Sequence, residues 1–484
     1  MPTIRCLTLL GASVLAAASC TRAPVAERPA SSASADRVAR IEAALLPNVI
    51  IEGRELETPN LEERMSHYGV PGVSVAMIDG GRIEWVRTHG VAAEDGHPVT
   101  PTTRFQAASI SKPVAAMAAL ALVDQGLLDL DADVNDSLVR WKVPDNDFTA
   151  VAPVTLRGLL SHTAGLSVHG FPGYGPDETV PGTTGVLDGQ GNTDPIRVEV
   201  QPGTIFRYSG GGYTVAQLLI EDVTGVPFPE ASDTLVLEPL GMDHSTYRQP
   251  LPSELHDEAA TGHRPNGTPV EGRFHTYPEM AAAGLWTTPS DLALFLISLQ
   301  RARQTGQHPV LSAERVDEML TPFLEGYALG LGIPDGQRFG HGGSNEGFRC
   351  TMTALLEGDQ GVVIMTNSDR GMALAREILL SVAREYGWSG PEPERRTVAQ
   401  LSGEQLDAIA GVYRGEPGDV RLARQKDHFT LHPWWDEDLV IELLPVSEST
   451  LFDLSGNLTV ELVLGDDGSV SALEGFGTVF EKDP

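Results

Sequence analysis

Apolar positions along this chain fall into two periodicities, and the changes between them mark its elements. Residues 38–46 repeat with helical spacing, while Val73, Val75 and Met77 alternate within 71–78 as on a strand. Asp79-Gly80-Gly81 supplies turn chemistry, so residues 82–88 read as the returning strand of a hairpin. A long apolar helix is predicted over 114–125, closed by Gly126, with shorter helices over 214–224 and 292–300. The last of these opens on Thr288-Pro289-Ser290-Asp291, a start resembling a capping box with proline in the first turn. Strands follow at 351–356 and 361–366 around the turn at Gly358, then a helix near 373–386. This order predicts an α/β fold of the α+β type: an antiparallel sheet flanked by helices, with a helical subdomain.

Residues 391–396 read as a charged, proline-containing linker, after which the texture changes. A short helix over 403–409 precedes strand-like runs at 429–432, 439–443 and 458–464, and Gly465-Asp466-Asp467-Gly468 is one of the turns between them. A small C-terminal all-β domain is therefore expected over 400–484. The other end is not expected to join the fold. Arg5, the apolar run 7–18 and the small residues before Cys20 form a signal peptide over 1–20, too short for a permanent membrane span. Ala17-Ala18-Ser19-Cys20 resembles a bacterial lipoprotein box with Ala17 in the place of the usual Leu. The expectation is export, to the periplasm or to a membrane through lipid on Cys20. The competing reading is an ordinary signal peptide cut within residues 16–18. Residues 21–54 are then a tether and N-terminal helix, and 55–392 the main domain.

Composition narrows the chemistry. A formal net charge of -32 over 484 residues argues against a nucleic-acid partner. Once Cys6 leaves with the signal and Cys20 is terminal, Cys350 stands nearly alone, so neither a disulfide framework nor a thiolate metal site is expected. The histidines lack His-Glu-x-x-His spacing, there is no Gly-x-Ser-x-Gly elbow, and no phosphate-cradling loop stands out. No metal and no cofactor are expected.

Ser109-Ile110-Ser111-Lys112 is the candidate chemistry. On one helical face, an amine three residues after a hydroxyl can stabilise its alkoxide or accept its proton. Ser-x-x-Lys also arises by chance, although this chain has only four lysines: Lys112, Lys142, Lys426 and Lys482. The neighbourhood adds weight. Phe105-Gln106-Ala107-Ala108-Ser109-Ile110-Ser111-Lys112 resembles the nucleophile segment of the serine β-lactamase and penicillin-binding-protein family, which includes class C β-lactamases, D-Ala-D-Ala carboxypeptidases and related esterases. Tyr208-Ser209-Gly210 resembles its Tyr-x-Asn motif with Gly in place of Asn. His341-Gly342-Gly343 resembles its Lys-Thr-Gly motif in a His-x-Gly form. Residues 155–166, which include Ser161-His162-Thr163-Ala164-Gly165, match a further family segment. These segments lie in the family's order between about residues 55 and 390.

The resemblance implies acyl transfer to Ser109, with Lys112 activating it and Tyr208 as a partner base, its phenolate stabilised by nearby cations such as Lys112. It also implies an oxyanion hole from the backbone N–H groups of Ser109 and Ser344, and substrate contacts from Gly210, His341, Gly343 and Ser344. The tail resembles the lipocalin-like appendage of some members, placed to shape the cleft or to bind an envelope component. Gly210 and His341 depart from the antibiotic-resistance pattern, since a neutral histidine anchors a carboxylate poorly. They favour an esterase or D-peptidase over a strong β-lactamase. Arg349 reads equally as a replacement cation or a surface residue, and His162 as a structural histidine. The rival expectation is a catalytically inactive envelope protein that binds without turnover. The substrate is expected to be a small molecule or peptide.

Overall fold

The computed structural model describes residues 32–435, 439–456, 458–465 and 469–483. The signal-peptide and Cys20 readings lie outside the described residues.

Five antiparallel strands form the central sheet: β1 (Gly72–Asp79), β2 (Arg82–Gly90), β3 (Arg338–Asn345), β4 (Phe348–Leu355) and β5 (Gly361–Thr366). Their spatial order is β2-β1-β5-β4-β3, so the two ends of the domain meet where β1 pairs with β5. Around the sheet run α1 (Ser111–Asp124), α2 (Gly210–Thr224), the single turn α3 (Met280–Ala283), α4 (Pro289–Thr305) and α5 (Gly371–Tyr386).

Burial on both faces explains why β1 and β5 read as nearly continuous apolar runs. Val73, Val75, Met77, Val362 and Ile364 pack with α5 and the N-terminal helix Ser32–Ala43. Ala76, Ile78, Val363 and Met365 point the other way, into the core shared with α1, α2 and α4. The Thr288 side chain accepts the Asp291 N–H at 3.2 Å, but the Asp291 carboxylate turns away to the Ser245 hydroxyl and His244 N–H. The predicted capping box is thus closed from one side only.

Glycines serve close packing in two elements near the motifs. Gly210, Gly211 and Gly212 form the first turn of α2, with Ser209 as N-cap, so the helix starts four residues before the predicted 214. A Cβ at Gly211 would lie 2.7 Å from Ile196 Cγ1 and 2.8 Å from Ser167 O, so close approach of the 167–171 segment demands glycine here. Residues 338–345, which carry the His341-Gly342-Gly343 motif and were given no element from the sequence, are the edge strand β3, paired with β4 throughout. A Cβ at Gly340 would strike Met352 O, and that crowding removed the side chain that would have signalled a strand.

The 391–396 linker contributes Glu394–Arg396, a short strand pairing in parallel with Val49–Ile51. Beyond it, eight antiparallel strands from Gly411–Gly415 to Thr478–Lys482 close into a barrel. Tyr413, Phe429, Leu431, Leu443, Leu451, Val460, Leu473 and Phe480 are buried together in its core. Eight strands enclose about the space that such side chains fill.

Candidate active site

The turn that carries Ser109 is fixed from several sides. The two-residue strand Phe105–Gln106 pairs with Trp286–Thr287, and the Ala107 N–H donates to Leu285 O at 2.8 Å. Ala108 has φ 50, a left-handed conformation that a residue with a side chain adopts at a cost. The Ser111 hydroxyl donates to Ala108 O at 2.6 Å and accepts from the Leu285 N–H at 2.9 Å. Ser109 therefore sits on the short 3-10 turn Ala108–Ile110, directly ahead of α1, with Lys112 three residues on.

Lys112 is 2 % exposed. Its Nζ donates to Ser109 Oγ at 3.0 Å and to Ala282 O, on α3, at 2.8 Å. Burial drives its pKa down to about 7, so much of the amine is neutral near neutral pH. Tyr208 precedes the N-cap of α2, and its hydroxyl is hydrogen-bonded to the Ser109 side chain. Burial pushes its pKa up to about 12, and the bond to Ser109 offsets only part of that. Lys112 Nζ lies 5.0 Å from the Tyr208 ring centroid. Burial thus favours the protonated phenol at Tyr208 and the neutral amine at Lys112.

The other predicted residues are brought to the same cleft, though not all of them face it freely. His341 lies on β3, with Nδ1 2.5 Å from Gly342 O and Nε2 2.8 Å from the Tyr327 hydroxyl. A carbonyl only accepts, so Nδ1 carries the proton and Nε2 accepts from Tyr327. Burial lowers the His341 pKa to about 4, with Lys112 adding to the effect. The ring is neutral and both its nitrogens are engaged. Arg349 is not a replacement cation either: its Nη1 contacts Asp369 at 2.7 Å and Asn345 O at 2.6 Å.

Gly343 is where β3 crosses the nucleophile turn. A Cβ there would collide with Ala107 O and lie 2.5 Å from Cys350 Sγ. Ser344 is exposed beside it, and Asn345 donates to Gln106 Oε1 at 2.9 Å, which pins the strand to the Ser109 segment. A Cβ at Gly210 would lie 2.8 Å from Phe171 Cε2, so this glycine accommodates packing of the 167–171 segment. Beside Tyr208 opens a groove of about 870 Å³ that includes His169, Asn192, Asp194, Glu199 and Arg207. Among the described residues no group of three or more His, Cys, Asp or Glu could hold a metal ion.

Sequence reasoning missed the Ala282 carbonyl and the rings of Tyr213 and Tyr327. A backbone acceptor leaves no residue-type signal, and the tyrosines lie outside the quoted motifs. It named His162 but read it as structural, whereas the structure stacks it on Tyr208 at 4.1 Å between ring centroids.

A D-aminopeptidase of Gluconobacter oxydans is 27% identical over 360 residues, 71% of this chain and 63% of its own length. Esterase EstB of Burkholderia gladioli is 34% identical over 174 residues, 34% of this chain and 43% of its own. These matches span less than two thirds of either relative. The octameric penicillin-binding protein homologue from Pyrococcus abyssi superposes with a TM-score of 0.59 at 25% identity, over 87% of this chain and 98% of that one. The family profile described as Beta-lactamase matches residues 58–384, the segment that builds the sheet, its helices and the Ser109 cleft, and the chain belongs to the β-lactamase family.

Proposed function

We propose that this chain is a serine hydrolase that cleaves esters or amides through an acyl-enzyme on Ser109. The observation that carries the proposal is the buried Lys112 amine, with its pKa lowered to about 7, held 3.0 Å from Ser109 Oγ. Neutral Lys112 takes the Ser109 proton as Oγ bonds to the substrate carbonyl carbon. Backbone N–H groups of Ser109 and Ser344 receive the oxyanion by analogy with the family, and the tight crossing of β3 at Gly343 supports that reading. As the tetrahedral intermediate collapses, Tyr208 protonates the leaving oxygen or nitrogen, and the Lys112 ammonium returns a proton to Tyr208. Water then attacks the acyl-enzyme with the same groups reversed, which releases the acid and restores Ser109.

Substrate preference follows from charge. With His341 neutral and engaged and Arg349 paired to Asp369, neither of these two residues offers a free cation to a carboxylate. This favours neutral esters or the amides of an aminopeptidase over β-lactams and peptide C-termini, in keeping with the names of the two relatives. Export, and membrane attachment through Cys20, belong to the same proposal and rest on residues 1–20.

The test is hydrolysis of p-nitrophenyl butyrate by the wild type and by Ser109→Ala. Turnover should fall on the order of a thousandfold or more in the variant. Equal turnover by the two would refute the proposal, and an inert wild type that fails to take up a serine-reactive phosphonate would favour the binding-only reading.

A further inference from the structure

His162 surrounds Tyr208 on three sides. Its carbonyl accepts the N–H of Arg207, the residue before Tyr208, at 2.8 Å. Its Nδ1 accepts the N–H of Ser209, the residue after, at 3.0 Å. Between these two anchors its ring lies on the Tyr208 ring, 4.1 Å between centroids and 30° between planes. Lys112 approaches Tyr208 too, with Nζ 5.0 Å from the ring centroid. The phenol is thus held by backbone on both flanks and by an imidazole on one face.

The arrangement is costly by the standards of a packing residue. His162 has φ 58, the left-handed region, and is 2 % exposed. Because Nδ1 accepts, the ring proton is on Nε2, and Nε2 is buried without a hydrogen-bond partner. Burial, with Lys112 and two other histidines adding to it, holds the imidazole neutral, and that is the state in which Nδ1 can accept. Backbone strain and an unsatisfied buried donor cluster at functional sites, where surrounding contacts enforce them.

We infer that His162 is a positioning residue: it aims the Tyr208 hydroxyl at Ser109 and, from there, at the leaving group. The inference rests on the proposed role of Tyr208 as the group that protonates the leaving atom. Two variants separate the contacts. His162→Asn tolerates the left-handed backbone and can present Oδ1 to the Ser209 N–H, but loses the stacked ring. His162→Phe keeps a ring and loses the acceptor.

The readout is leaving-group dependence of the acylation rate. A p-nitrophenolate needs little help to depart, whereas the alkoxide of an alkyl ester of the same acid must be protonated. Misplacement of the phenol should cost the alkyl ester on the order of a hundredfold in kcat/KM, and the p-nitrophenyl ester far less. Tyr208→Phe should show the same asymmetry, and adding either His162 change to Tyr208→Phe should cost little more. Folding of each variant is checked by circular dichroism and by phosphonate labelling of Ser109. If Tyr208→Phe is asymmetric while both folded His162 variants lose activity equally on the two esters, or lose none, the inference is overturned and the Tyr208 role survives. If Tyr208→Phe shows no asymmetry, the role of Tyr208 fails, and the inference with it. If both His162 variants fail to fold, His162 is a folding residue and the inference is likewise overturned.

Discussion

Lys112 carries the most direct consequence at the scale of single residues. Only its neutral form can take the Ser109 proton, so kcat/KM for a neutral ester should rise about tenfold per pH unit below about pH 7 and level off above it. A pH–rate profile flat from pH 5 to 9 would exclude Lys112 as the base. The same burial has a cost in stability. The folded-state pKa lies below the unfolded value of 10.5, so the unfolded chain binds the extra proton between about 7 and 10.5. The Lys112 contribution to stability therefore rises with pH across that window and is poorest below it. Lys112→Met should raise Tm at pH 6 while abolishing turnover; a lower Tm would contradict the burial argument. The pairing itself was legible because Ser109 and Lys112 share one turn. The Ala282 carbonyl was not, since it belongs to a different element 170 residues away.

Elements were legible in proportion to how freely their residue types reported the backbone. Helix α1 and the hairpin β1–β2 were predicted close to their bounds because periodicity and turn residues agree there. Strand β3 and the first turn of α2 were hidden by glycines that serve close packing at Ala107, Met352, Ile196 and Ser167. Glu279, the N-cap residue of α3, gave no signal either. It is 0 % exposed, and neither carboxylate oxygen has a hydrogen-bond partner. Burial raises its pKa to about 7. The folded chain then holds a proton that the unfolded chain releases between about 4.5 and 7, so its contribution to stability falls as pH rises through that window and the penalty is full above it. Glu279→Gln should accordingly gain stability over the wild type as pH rises from 5 to 8, by about 3 kcal/mol at most. Chemical denaturation at the two pH values checks this, and a gain independent of pH would contradict it. Because α3 also presents the Ala282 carbonyl to Lys112, the variant should retain activity at pH 8.

At the scale of the whole molecule, a change of texture near residue 400 was legible in the sequence, with strand-like runs named for three of the eight barrel strands. Pairing around a closed barrel is a long-range property that local pattern does not encode. Val49 packs with Leu444 and Phe452 of the barrel, and Arg54 lies 3.8 Å from Asp427. These contacts involve the N-terminal segment, whereas Ser109 lies ahead of α1 in the core on the opposite face of the sheet. The expectation that the tail shapes the cleft therefore has a definite outcome. Removal of residues 398–484 should lower Tm by exposing Val49 while leaving kcat/KM on a small ester largely unchanged. A large change in substrate preference would restore a role for the barrel in the cleft.

The most direct test of the central claim is to trap the acyl group on the protein. Mixed rapidly with excess p-nitrophenyl butyrate and quenched in acid, the wild type should gain one butyryl group by intact mass, located on the peptide carrying Ser109, with Ser109→Ala remaining unmodified. A butyryl group found elsewhere, or an equal mass gain in Ser109→Ala, would contradict the account.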